Sequence, residues 1–63
     1  MAIFYKEFMN SMVVDNKVVD AEAVDFLNDY IKNNPTKVVE VVSYVVYDYN
    51  TFILAKITDL EVD

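Results

Sequence analysis

Glycine is absent from all 63 residues, and so are cysteine, histidine, tryptophan and arginine. Each absence removes a class of chemistry. Without glycine the tight turns fall to Asn and Asp, and a loop whose backbone closes around a phosphate has no material. Without cysteine there is no disulfide, and without cysteine and histidine a zinc-type site loses its usual ligands. Ser11 and Ser43 have no histidine to activate them as nucleophiles. Five lysines stand against eleven Asp and Glu, a net charge of −6. That balance argues against binding a nucleic-acid backbone, which is carried by clustered Lys and Arg. No apolar run approaches the ~18 residues of a membrane-spanning helix. The opening MAIFYKEF has no basic segment leading into an apolar one, so no signal peptide is expected. These exclusions point to a cytoplasmic protein that is not an enzyme and carries no cofactor, metal or catalytic residue.

What is present is mostly apolar: 56% of the residues are hydrophobic. A chain this short makes one domain, residues 1–63, and buries only about 60% of the surface its unfolded form exposes. Small domains are stabilised by disulfides, metals or oligomerisation. With the first two removed, self-association is expected, as a homodimer.

Residues 37–62 read as two strands of one hairpin around which the rest is organised. Val, Tyr, Ile, Phe and Thr dominate, and these side chains suit a pleated surface better than a helix. Asp48, Tyr49 and Asn50 interrupt the run. A two-residue loop at Tyr49-Asn50 would oppose Glu40 and Asp59, so a three-residue loop at 48–50 is preferred, with Val46 opposite Phe52 and Val41 opposite Ile57. In that register Val38, Val42, Tyr44, Val46, Phe52, Leu54 and Leu60 share one face, and Val39, Val41, Val45, Tyr47, Ile53, Ala55 and Ile57 the other. Both faces are apolar, which implies cover on both sides. One helix covers only one.

The helix is expected over 20–33, with Asp20 as N-cap, acidic Glu22 in the first turn and Asn33-Asn34-Pro35 as the stop. Ala23, Val24, Leu27, Tyr30 and Ile31 form its apolar side, opposite Glu22, Asp25 and Asp29, with Phe26 at the border. Ahead of it, residues 2–9 fit a strand by composition and a helix by spacing; strand is preferred. A turn at Asp15-Asn16 makes either a small hairpin or a loop that tucks its valines under the core. The fold class is therefore α+β: one amphipathic helix on a small antiparallel sheet dominated by the C-terminal hairpin, with a strand or short hairpin over 2–19.

Two surfaces are candidates for binding a partner. Glu22, Asp25 and Asp29 with Phe26 could steer toward a basic protein groove and anchor there, which in its sharpest form is DNA mimicry; simple solvation of a helix face accounts for the same charges. Asp25 and Asp29 as an acid–base pair, and Asp15, Asn16 and Asp20 as a calcium loop, lack the partners and spacing those chemistries need. The second surface is the tyrosine-rich hairpin, with Tyr44, Val45, Tyr47 and Ile53 as dimer contacts, since tyrosine buries much area yet offers a hydroxyl.

The order of short strand, helix and hairpin, with VDFLNDYIKNN followed by KVVEVVSYVVYDYNTFILAKI, resembles small sporulation-related proteins of Gram-positive bacteria and their phages. The likeness covers roughly residues 20–57. It departs at VVSYVV, where those proteins carry a charged, alternating strand. It implies no catalytic residues, and it suggests a small accessory protein of a phage or mobile element, some of which block host enzymes by binding them. Two readings follow: an inhibitory or adaptor homodimer that docks on a protein with a basic surface, or a structural or regulatory subunit whose second sheet face is buried in a hetero-assembly.

Overall fold

The computed structural model describes residues 1–61; the hairpin's expected end at residue 62 lies outside them. The elements are β1 (Ala2–Met9), β2 (Met12–Val14), β3 (Lys17–Val19), α1 (Ala23–Asn33), β4 (Lys37–Tyr47) and β5 (Asn50–Asp59). β1, β5 and β4 form one antiparallel sheet with β5 in the centre, while β2 and β3 pair only with each other. The fold is the expected α+β arrangement, and residues 2–9 are a strand. The Asp15-Asn16 turn closes a small hairpin, but its valines are not tucked away: Val13, Val14, Val18 and Val19 are all exposed.

The long hairpin closes differently from the expected register. Tyr47 pairs with Asn50 across a two-residue turn, Asp48-Tyr49, in which both residues have positive φ. Such mirror-image turns match the right-handed twist of the flanking strands, which outweighs the strain of a left-handed tyrosine. The side-chain amide of Asn50 donates to the Asp48 carbonyl at 3.3 Å. Val42 then stands as an extra residue in a bulge between Val41 and Ser43. Beyond it Glu40 lies opposite Lys56 and Lys37 opposite Asp59. One inserted residue thus turns two charged positions into opposite-charge pairs.

The new register also redraws the faces. Phe8, Ile53 and Tyr44 are cross-strand neighbours, as are Lys6, Ala55 and Val41, and Phe4, Ile57 and Val39. These rows face α1. Val45 and Tyr47, expected beside Ile53, lie on the opposite face with Phe52 and Leu54, and Tyr44 and Val46 lie on the helix side.

α1 begins at Ala23 with Glu22 as N-cap, two residues later than expected. Asp20 is engaged elsewhere: its carboxylate accepts from the Ser11 hydroxyl at 2.7 Å. The Asp25 carboxylate accepts from the Glu22 N–H at 3.3 Å, and the Asn10 side-chain oxygen accepts from the Ala23 N–H at 2.8 Å. Both bonds satisfy donors that a helix start leaves unpaired. At the other end the Asn34 amide donates to the Tyr30 carbonyl, and Pro35 follows. The inward stripe is Ala23, Phe26, Leu27 and Tyr30; Val24 and Ile31 are exposed. Phe26, expected at the border, is half-buried and packs against the edge of the core.

The core is Phe8, Ala23, Leu27, Ile53, Ala55 and Ile57, edged by Met12, Phe26, Tyr30 and Val39. Two of the six are alanines, and the thinnest dimension of the molecule is 16 Å. That is room for one helix layer on one sheet.

Candidate binding surface

With α1 on one side, the other sheet face has no cover among the described residues. Its rows read Met9–Phe52–Val45, Glu7–Leu54–Ser43, Tyr5–Lys56–Glu40 and Ile3–Thr58–Val38, with Tyr47 at the tip end. Tyr5 is 62% exposed, Tyr47 74% and Phe52 45%, and Ile3, Val38 and Val45 are each about half exposed. Together these residues form an exposed, largely apolar patch. Two carboxylates and one ammonium interrupt it, and Glu40 opposite Lys56 leaves Glu7 as the unmatched charge.

The tyrosines do not form one surface. Tyr47 is on the open face, Tyr44 is on the helix side beside Ile53, and Tyr49 projects from the turn, 96% exposed. Ile53, expected as a dimer contact, is 1% exposed under the helix. Only Val45 and Tyr47 of that expected set share the open face. Val38 and Phe52, expected to share a face, do so here, and Ile3 and Tyr5 of β1 complete it; no pairing for β1 is legible in the sequence, and the grouping with Val45 and Tyr47 depends on the register.

The acidic helix lies across the sheet from this face. Glu22 and Asp25 cap the helix start, with the Asp25 carboxylate turned back onto the backbone. Asp29 is exposed and Phe26 is half-buried, so the structure does not place a free aromatic among the carboxylates. Both contribute instead to a groove of about 530 Å³ between the β2–β3 arm, α1 and β1, walled by Phe8, Met12, Phe26 and Tyr30 with Lys6 and Asp29 beside them.

Lys6 and Lys37, on the helix side, rest over aromatic rings. The Lys6 ammonium is 5.4 Å from the Tyr30 ring centre and 5.7 Å from that of Phe8, and Lys37 is 5.6 Å from Tyr30 and 5.8 Å from Phe4. The Lys37 ammonium also donates to the Tyr30 hydroxyl at 3.4 Å. Their stems close the edge of the core while the charges remain at its rim. Among the described residues no three Asp, Glu, His or Cys side chains come together as a metal-ligand set, and no helix is long and apolar enough to cross a membrane.

No family model, curated protein or solved structure matches this chain.

Proposed function

We propose that this chain is a non-catalytic binding protein of the cytoplasm that acts by laying its open sheet face on a protein partner. The observation that carries the reading is the uncovered face of Ile3, Tyr5, Val38, Val45, Tyr47 and Phe52. The partner that fits is a protein with an apolar patch rimmed by Lys or Arg. The apolar residues supply area, and the charge of −6, with Glu7 unmatched on the face itself, steers and selects basic surroundings. Occupying a partner's surface in this way suits an adaptor or an inhibitor, the role that the resemblance to small phage and bacterial accessory proteins suggests.

Docking through the acidic helix, with DNA mimicry as its sharpest form, is the competing reading. It has less support, because Asp25 caps the helix and Phe26 packs inward. Variants separate the two. Affinity capture with Tyr5→Lys/Phe52→Lys should lose a partner that the parent chain and an Asp25→Lys/Asp29→Lys variant both retain. Loss on helix charge reversal with retention in the sheet variant would transfer the role to the helix.

A further inference from the structure

β4 has the sequence of a central strand and the position of an edge strand. Eight of its eleven residues are Val or Tyr. A run so continuously apolar belongs to a strand buried on both faces. Yet among the described residues β4 pairs on one side only, with β5, and α1 packs over β1 and β5. Val38, Val41, Val42, Tyr44, Val45, Val46 and Tyr47 are all exposed, Val46 by 60%, and only Val39 reaches the core. A long apolar edge with a free row of backbone donors and acceptors is a template for another strand. The opposite edge, β1, is unlike it: α1 packs on its inner face, and Lys6 and Glu7 stand in its middle.

We infer that two copies of this chain pair through β4, antiparallel about a two-fold axis normal to the sheet, making one sheet of six strands. This goes beyond the docking reading and stands or falls separately from it. The occupant is a second copy because the strand is complementary to itself. The bulge at Val42 lies at its midpoint, so a two-fold between Val42 and Ser43 joins two regular arms and brings the bulges together at the axis. In that register residues of like face meet: Val39 opposite the second copy's Val46, Val41 opposite its Tyr44, and Glu40 opposite its Val45. No like charges oppose each other, and Lys37 falls opposite the second copy's Asp48. The shared edge is about 36 Å long, enough for the side chains of eleven residues on each copy to lose solvent on both faces. The axis puts both helices on one side and joins the two open faces into a single surface on the other.

Light scattering over a dilution series should give a dimer. Val41→Lys/Val46→Lys, at two exposed positions on β4, should raise its dissociation constant on the order of 100-fold or more with the circular dichroism unchanged. Tyr5→Lys/Phe52→Lys on the open face should leave the dimer intact while removing partner binding. Should the lysine variant unfold, cross-linking decides. An oxidised mixture of Val41→Cys chains and Tyr44→Cys chains should form a covalent dimer, and neither should do so alone, because like positions are offset by about 10 Å, beyond disulfide reach. A parent chain monomeric at micromolar concentration would overturn the inference. So would a dimer that survives the β4 lysines, or one abolished by the open-face variant.

Discussion

Ile53 illustrates how one residue's role turns on its neighbours. By composition it is an apolar strand residue close to three tyrosines, suited to an interface; in the fold it lies between Phe8 and Tyr44 beneath the helix, 1% exposed. Ile53→Ala should cost about 2–5 kcal/mol. A single core in a domain of this size supplies roughly 3–5 kcal/mol, so a urea melt of the variant should show its midpoint moved most of the way to zero denaturant. Tyr5→Ala, on the open face and away from β4, should change the stability by only a few tenths of a kcal/mol. Equal effects at the two positions would contradict the face assignment. The left-handed residues show the cost of a chain without glycine: Ser11, Asp15, Asn16, Asp48 and Tyr49 all have positive φ, and each carries a strain that glycine would not.

At the scale of the element, the bulge decides what β4 presents. Val42 has no partner on β5, while Val41 faces Ala55 and Ser43 faces Leu54. Deleting Val42 should therefore leave both arms of the ladder paired as they are and keep every side chain on its present face. The expected outcome is a folded protein within about 1 kcal/mol of the parent, measured by thermal melting. Collapse of the fold on deletion would mean that the bulge bends the strand in a way the core requires. Asn10 plays a similar part between elements: it accepts from the helix start at 2.8 Å and donates to the Tyr49 carbonyl at 3.5 Å, which ties α1 to the tip of the long hairpin.

Across the whole molecule, stability is unevenly spread. β5 is paired on both sides and carries three of the six core residues, whereas β2 and β3 pair only with each other and bury none. Amide hydrogen exchange should find the slowest protons in β5 and the fastest in the β2–β3 arm. Comparable protection in the two would show that the arm is held by contacts beyond this fold. The same unevenness underlies the functional proposals, since the layer missing from the open face and the strand missing beside β4 are what partners would supply.

The sequence alone determined the element types and the imbalance they create. Branched and aromatic residues made strands, an amphipathic stretch made one helix, and two apolar sheet faces against one helix left a surface uncovered. It also narrowed the chemistry through missing residue types. What only the tertiary structure decided was which side chains form that surface. A strand's side chains alternate with a period of two, so one residue of register exchanges the faces. The two-residue turn at Asp48-Tyr49 and the bulge at Val42 set that register together, and neither is marked by the glycine that usually signals them. The helix start moved for a comparable reason: Asp20 and Glu22 are both able to cap, and a contact from distant Ser11 claimed the first.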